Sequence, residues 1–351
     1  MADIDFPFCL GTFASEAREE FPGLVIGERV YPISSLFRTA SIPLSECRIM
    51  LEVLEHWDKY LPGLISAAEY LKVEPGSAAL RMSELKIKAP VRPRQIICAG
   101  ANYRKHVIDL MVDHPGAGGD ASLPAAERRQ QAGRMMDHRA ANGQPFCFIK
   151  PYSTLLDPYA DFIIPADSIE ADWELELAVV IGKPARRVSR NGALEHVAGY
   201  TIANDISARD HLRRPDFPAI GMDWVACKGG PGFLPIGPVI VPAMFIPKPQ
   251  QLRLELRLNG DVMQNESTAD MIFPVAHLIE FISTYMQLLP GDIICTGSPS
   301  GNGTHYNRYL RPGDVIEGRI EGLGMQHNVC VAETLAADAV MHSPFVPLSP
   351  L

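Results

Sequence analysis

The stretch Asp172-Trp173-Glu174-Leu175-Glu176-Leu177-Ala178-Val179-Val180-Ile181-Gly182 is an apolar run whose first half carries acidic residues at alternate positions. Successive side chains of a β-strand point to opposite faces, so a strand here has one face that begins acidic and ends apolar. The residues of that face are Asp172, Glu174, Glu176, Ala178 and Val180. Two glutamates about 7 Å apart on one face repel each other away from water, and a hard cation relieves that repulsion. The segment predicts either a metal-binding strand end or, with equal weight, the solvated face of a half-buried strand.

Other strand-like runs surround this segment. They lie at 145–149, 162–164, 236–241, 252–259, 292–296 and 315–320. Only two long helical patterns interrupt them, one that starts near Tyr103 and one at 275–289. Several strands with few intervening helices indicate an α+β, mainly β, fold and argue against a doubly wound parallel sheet.

The first 90 residues have a different pattern. Short strands in the first 40 residues are followed, from Pro43 to Leu71, by a helical repeat that is interrupted at Pro62-Gly63. We therefore predict an N-terminal α+β region, 1–90, and a larger domain, 91–351. Within the larger domain, 111–144 is poor in large apolar residues and predicts an exposed insertion with a helix near 124–137. It is either a surface segment or a lid, and we expect part of it to cover the active site because both its ends lie near candidate site residues.

Composition excludes several classes of protein. The 351 residues include 32 Lys plus Arg and 41 Asp plus Glu, for a net charge of −9, which argues against a nucleic-acid partner. No apolar run approaches the ~18 residues of a membrane helix, and the start has no secretory-signal pattern. The seven cysteines are scattered without a C-x-x-C pair, which predicts reduced thiols in a cytoplasmic protein with no zinc site.

Two further candidates complement the acidic strand. Asp205 follows an apolar run 29 residues after Glu176 and is either a third carboxylate of a metal site or a turn former. His106 and Asp109 share one face of the helix that starts near Tyr103. A carboxylate beside an imidazole raises its basicity, as a water-activating base requires, although such pairs more often lie on a surface.

Basic and glycine-rich positions complete the set. Lys150 ends an apolar run, where a cation is not buried without a partner, and Lys228 precedes a glycine-rich turn. The loop 296–303, TGSPSGNG, can present backbone N–H groups to an anion, but it is neither a P-loop nor a nucleophile elbow.

The order and spacing of these motifs resemble the fumarylacetoacetate hydrolase family over about residues 94–332. The motifs are G-x-N-Y-x-x-H, F-x-x-K-P, D-W-E-L-E-L-A-V-V-I-G, G-Y-T-I-A-N-D-I-S-A-R-D, L-N-G-D-V-M-Q-N and G-D-I-I-C-T-G-S-P-S-G-N-G. The resemblance implies a mixed β-sheet roll, or partly open barrel, with a small N-terminal domain. It also implies a homodimer with a divalent ion, Mg²⁺ or Mn²⁺, at the centre of each catalytic domain.

The resemblance also implies roles for individual residues. The implied metal ligands are Glu174, Glu176 and Asp205. The implied catalytic residues are His106, Asp109, Lys150 and Lys228, and the implied substrate contacts are Tyr103, Arg209, Thr296 and Gly297. Three positions depart from the family: Asp109 replaces a glutamate, Leu212 a glutamine and Pro231 an aspartate.

The activity implied by the resemblance is metal-dependent hydrolysis of a carbon–carbon bond in a small 2,4-dioxo acid, with release of pyruvate or a related oxo acid. An alternative is isomerisation, decarboxylation or lyase chemistry of a 2-oxo acid through the same enolate. The missing glutamate favours this alternative slightly. A third possibility is a non-catalytic member that binds a metabolite or a partner protein.

Overall fold

The computed structural model of the chain describes residues 6–16, 18–36, 47–73, 79–113, 119–216, 219 and 221–340. The strands are β1 Cys9–Ser15, β2 Arg18–Ile26, β3 Arg29–Pro32, β4 Leu80–Arg81, β5 Lys86–Lys88, β6 Ile96–Gly100, β7 Phe146–Lys150, β8 Leu155–Leu156, β9 Phe162–Ile164, β10 Ala171–Asp172, β11 Leu175–Ile181, β12 Val197–Asn204, β13 Ser207–Ala208, β14 Leu234–Pro235, β15 Val241–Pro242, β16 Arg253–Leu258, β17 Asp261–Ser267, β18 Ile293–Cys295, β19 Val315–Ile320 and β20 Gly324–Ala332. The α-helices are α1 Ile33–Leu36, α2 Met50–Glu55, α3 Trp57–Val73, α4 Arg104–Asp113, α5 Ala125–Asn142, α6 Trp224–Lys228, α7 Val275–Tyr285 and α8 Gly303–Tyr306. Short 3₁₀ turns lie at Met82–Glu84, Tyr152–Thr154, Ala193–His196, Arg209–His211, Ala243–Phe245, Pro249–Gln251 and Thr268–Asp270.

Three larger sheets organise these strands. A six-stranded sheet has the order β15-β12-β11-β18-β6-β7, and a five-stranded sheet has the order β17-β16-β19-β20-β9. Both are mixed, because β18 runs parallel to β6 and β20 runs parallel to β9 while the other pairs are antiparallel. The N-terminal region forms its own sheet, β4-β3-β2-β1-β5. The predicted α+β, mainly β, fold with mixed sheets curled into a partly open barrel is confirmed.

Strand β11 is buried on both faces. Leu175, Leu177 and Val179 belong to the hydrophobic core that also includes side chains of β16, β19 and α7. Ala178 and Val180, on the opposite face, pack in a second core with side chains of α2 and α3. The interpretation of this segment as a solvated strand face is therefore wrong, because the N-terminal helices cover the face that the sequence left undecided.

Some boundaries differ from the predictions. The helical repeat is interrupted at His56 and continues through Pro62, which is exposed, so the carbonyl that lacks its helical donor there faces water. Of the predicted strand 236–241, Val241 alone lies in a strand, β15, and Pro238 in the middle of the run donates no ladder hydrogen bond. The helix predicted at 275–289 ends at Tyr285. Residues 43–46 lie outside the described residues, and the domain boundary near residue 90 stays a prediction.

The insertion contains a helix, as predicted, and that helix packs along α4. Arg104 Nε of α4 donates to Asp137 Oδ1 of α5 at 2.8 Å, and Ala132 and Met136 of α5 are buried. Helix α5 therefore packs directly against α4 and contributes Ala132 and Met136 to the core. In the part of the chain that the structure describes, no helix has the length and apolar character needed to cross a membrane.

Candidate functional site

Three carboxylates meet where β11 begins and β12 ends. The antiparallel register pairs Leu175 with Asn204, so Glu174 and Glu176 lie beside Asp205, the first residue after β12. The Asp205 amide donates to the Glu174 carbonyl at 2.8 Å and fixes this corner. One carboxylate oxygen from each of the three residues lies within 4.8 Å of the others, and all three side chains are buried. The structure thus brings together the three predicted metal ligands.

Two buried lysines hold these carboxylates. Lys150 Nζ lies 2.6 Å from Asp205 Oδ1. Lys228 Nζ lies 2.6 Å from Glu174 Oε2 and 2.7 Å from Asp205 Oδ2. Burial opposes the charge of Lys228, but Asp205 and Glu174 raise the pKa of its ammonium above the usual range. Each lysine thus has the carboxylate partner that a buried ammonium requires.

A further acidic residue, Asp172, extends the cluster. Arg209 Nε donates to Asp172 Oδ2 at 2.8 Å, and the same guanidinium pairs with Glu174. Asp172 also accepts from the Gly303 amide and the Thr304 hydroxyl of α8. Sequence reasoning placed Asp172 on the acidic face but gave it no role; its alternate spacing was the signal that could have included it.

Glu176 lacks the cationic partner that the other carboxylates have. Its Oε2 accepts the Gly297 amide at 2.7 Å, and among the described residues no Lys or Arg forms an ion pair with it. Burial, together with the negative charges of Asp205 and Glu174, raises the pKa of Glu176 well above its ordinary value. An all-oxygen donor set that contains an uncompensated buried carboxyl group fits a hard divalent cation such as Mg²⁺ or Mn²⁺.

His106 lines a cavity of about 690 Å³. Glu174, Glu176 and Asp205 line the same cavity, as do Arg209 and Lys228. The imidazole is partly exposed to the cavity, and its removal from bulk water lowers the pKa of His106 to about 4. A neutral imidazole at neutral pH can accept a proton from a bound molecule.

Asp109 does not contact His106 through a hydrogen bond, which corrects the predicted dyad. Its Oδ1 accepts Arg129 Nη1 at 2.7 Å, and its Oδ2 accepts Ser300 Oγ at 2.7 Å and Lys105 Nζ at 3.0 Å. Although burial opposes ionisation, these donors lower the pKa of Asp109 to about 2. Two cations and a hydroxyl occupy both oxygens, so the carboxylate stabilises α4 and does not orient the imidazole.

We expect Asp109→Asn to lower the free energy of unfolding while leaving kcat much less affected than a His106 variant does. The amide loses the charge that Arg129 and Lys105 bind, at a cost of about 1–3 kcal/mol in the free energy of unfolding. Denaturant unfolding and steady-state kinetics on the same preparation check this. A fall in kcat as large as that of a His106 variant, with unchanged stability, would show that Asp109 does act on the imidazole.

The predicted substrate contacts divide into two groups. Arg209 lines the cavity, whereas Tyr103, Thr296 and Gly297 are buried behind its wall. Thr296 Oγ1 donates to the Leu177 carbonyl at 2.9 Å. Gly297 does not line the cavity, but its amide donates a hydrogen bond to Glu176, which does. Direct substrate contact by Tyr103, Thr296 and Gly297 stays a prediction.

The insertion, 111–144, reaches the candidate site at two of its described residues, Met111 and Arg129. Of its described residues, 111–113 and 119–144, Met111 is the one that lines the cavity. Arg129 instead reaches Asp109 from α5. Part of the insertion therefore contributes to the cavity wall, whereas its role as a cover of the active site stays a prediction; residues 114–118 lie outside the described residues.

The family model for the fumarylacetoacetate (FAA) hydrolase C-terminal domain matches residues 95–331. The chain belongs to the fumarylacetoacetate hydrolase family. This family member is 35% identical over 322 residues to the oxaloacetate tautomerase YisK of Bacillus subtilis (strain 168), with 88% of this chain and 95% of that protein covered. It is 34% identical over 288 residues to the mitochondrial oxaloacetate tautomerase FAHD2A of Bos taurus, with 81% of this chain and 80% of that protein covered.

A solved structure of the fumarylacetoacetate hydrolase family supports the fold and the metal chemistry. It is the maleylpyruvate hydrolase from Sphingobium sp. SYK-6 in complex with manganese(II) and pyruvate, with a TM-score of 0.67 and 26% identity. The alignment covers 93% of this chain and 100% of that chain. That structure contains manganese(II), and the buried acidic triad of this chain offers a divalent ion three carboxylate ligands.

The expectation of a hydrolase acting on carbon–carbon bonds is wrong. The relatives with high identity over most of the chain are oxaloacetate tautomerases, which are isomerases. At the site, Asp109 accepts hydrogen bonds from Arg129 and Ser300 and forms none with His106. The isomerase alternative has the better support.

Proposed function

We propose that this protein is a metal-dependent tautomerase that interconverts the keto and enol forms of a 2-oxo acid. The observation that carries the proposal is the commitment of Asp109 to Arg129, Ser300 and Lys105, which leaves His106 as a single acid/base group. Moving a proton between a carbon and an oxygen needs such a group but no activated water. Oxaloacetate is the first substrate to test, because it is the one named for the relatives.

Glu174, Glu176 and Asp205 would hold a divalent ion, Mg²⁺ or Mn²⁺, near the substrate's 2-oxo and carboxylate oxygens. When bound, the ion supplies Lewis-acid stabilisation of the negative charge that develops on the 2-oxo oxygen. His106 takes the proton from C3 and returns a proton to that oxygen, so that one C–H bond is broken and one O–H bond is formed. Arg209 and Lys228 keep positive charge on the same cavity wall while this happens.

The proposal includes the setting of the reaction. We propose a cytoplasmic homodimer that acts on a small oxo acid, with no nucleic-acid or membrane partner. The net charge of −9 supports the absence of a nucleic-acid partner. Gel filtration with light scattering measures the oligomeric state directly.

Removal of divalent metal is expected to lower the tautomerisation rate of oxaloacetate by about 10²-fold or more, because Lewis-acid stabilisation contributes several kcal/mol. The loss of the enol's ultraviolet absorbance reports the rate after chelation and after addition of Mg²⁺ or Mn²⁺. Buffer catalysis is measured without protein and subtracted. The proposal fails if the chelated protein stays fully active, or if the protein releases pyruvate from an acylpyruvate faster than it tautomerises any oxo acid.

A further inference from the structure

Beyond the carboxylate cluster, the wall of the cavity is apolar. The side chains that form it include Leu110, Met111, Phe146, Phe148, Met222 and Trp224. The rings of Phe148 and Trp224 stack with centroids 4.8 Å apart, and the Phe146 ring lies 5.4 Å from that of Trp224. At about 690 Å³ the cavity is in the size range of sites for molecules much larger than a four-carbon diacid.

The formal charges of the site balance a substrate with a single negative charge. The site contains three cations, Lys150, Lys228 and Arg209, which pair with Asp172, Glu174 and Asp205, and a fourth carboxylate, Glu176, which lies beside Glu174 and Asp205 without an ion pair among the described residues. Their net charge of −1 becomes +1 with a divalent ion and zero with one bound carboxylate. A second substrate carboxylate would add a charge that nothing in the cluster offsets, which is costly away from water.

The cavity also lacks a separate cation for a second carboxylate. Among the described residues that line it, the basic side chains are His106, Arg209 and Lys228, and the last two already pair with carboxylates of the cluster. Leu212, where the family often has glutamine, contributes an apolar surface to the same wall. The far end of a bound molecule would therefore contact rings and aliphatic groups.

We infer that this site takes monoanionic 2-oxo acids with an apolar, aryl-sized group on C3 in preference to the dianion oxaloacetate. The inference rests on the proposed tautomerase function and names its substrate class. The reaction keeps the same balance, because the C3–H bond is broken and the enol O–H bond is formed without any co-reactant.

The first experiment compares phenylpyruvate with oxaloacetate as tautomerisation substrates of the Mn²⁺-loaded protein. We expect kcat/KM to favour phenylpyruvate by about tenfold or more, the discrimination that a fitted apolar pocket provides. Trp224→Ala should remove that preference, and Leu212→Arg should shift it towards oxaloacetate by supplying a cation. Val225→Ala is the matched control, since Val225 follows Trp224 in α6 but is 77% exposed and does not line the cavity.

The second experiment measures binding without turnover. Trimethylpyruvate and 3,3-dimethyloxaloacetate cannot enolise, and they differ by a methyl group in place of a carboxylate. Calorimetry on the Mn²⁺-loaded protein should show about tenfold tighter binding of trimethylpyruvate, lost in Leu212→Arg. Equal or tighter binding of the dianion, with oxaloacetate as the better substrate, overturns the inference and leaves the tautomerase proposal standing. Tighter binding of trimethylpyruvate without tautomerisation of either substrate supports the substrate class and overturns the tautomerase proposal.

Discussion

Glu176→Gln is expected to abolish metal-dependent activity while making the chelated protein more stable. The substitution removes a carboxylate from the proposed metal site, and we expect kcat/KM to fall by about 10²-fold or more. Glutamine keeps an oxygen for the Gly297 amide but carries no charge that burial penalises. The free energy of unfolding of the chelated protein should rise by about 1–2 kcal/mol at neutral pH.

The size of this stability change depends on pH. The pKa of Glu176 is raised in the folded state, so its favourable contribution is complete below the unfolded-state pKa and is lost as the pH rises towards the folded-state pKa. The advantage of the variant should therefore be present at neutral pH and disappear below about pH 4. Denaturant unfolding at both pH values and metal titration by calorimetry provide the two measurements.

Asp205→Asn is the control, for which we expect the free energy of unfolding to fall and not to rise. It leaves Lys150 without its carboxylate partner and should destabilise the protein by about 3–5 kcal/mol. If Glu176→Gln instead lowers stability and keeps metal-activated turnover, Glu176 is a structural residue and the proposed metal site is wrong.

His106→Asn is expected to lower kcat by roughly 10²–10⁴-fold, the usual contribution of a general acid/base. Metal affinity should stay unchanged, because the imidazole is not a proposed ligand. Deuterium exchange at C3 of pyruvate, followed by NMR, tests the proton transfer separately from enol absorbance.

A surface histidine offers the matched control for this variant. His327 pairs with Glu317 at 3.5 Å on strands β20 and β19, and it does not line the cavity. His327→Asn should have wild-type rates in both assays. Near wild-type tautomerisation and exchange in His106→Asn would show that another group transfers the proton.

The sequence could predict which acidic residues lie together, because the pattern that decides it is contained in one short segment. Alternation in 172–182 predicts which carboxylates share a face, and the antiparallel pairing of β11 with β12 then brings Asp205 beside them. The sequence could not decide whether that face is solvated, since the answer depends on the packing of α2 and α3 against Ala178 and Val180.

The partners of Asp109 were not predictable in the same way. The i, i+3 spacing predicts contact with His106, but spacing on one helix carries no information about competing donors from elsewhere in the chain. Arg129 comes from the insertion, and Ser300 lies 191 residues away in sequence. Contacts of this kind depend on the tertiary structure, so the spacing of His106 and Asp109 could not reveal them.

The burial of β11 on both faces has a consequence for how this scaffold can evolve. Strand β11, which contains Glu176 and directly follows Glu174, cannot tilt without disturbing two hydrophobic cores. Three apolar side chains of the cavity, here called the rim, are not anchored in this way. They are Leu212, Met222 and Trp224, which lie on short segments outside the large sheets. Mutations at the rim can therefore change which molecule fits while the acidic corner keeps its geometry. Such a division lets descendants of one ancestor acquire new substrates without inventing new chemistry.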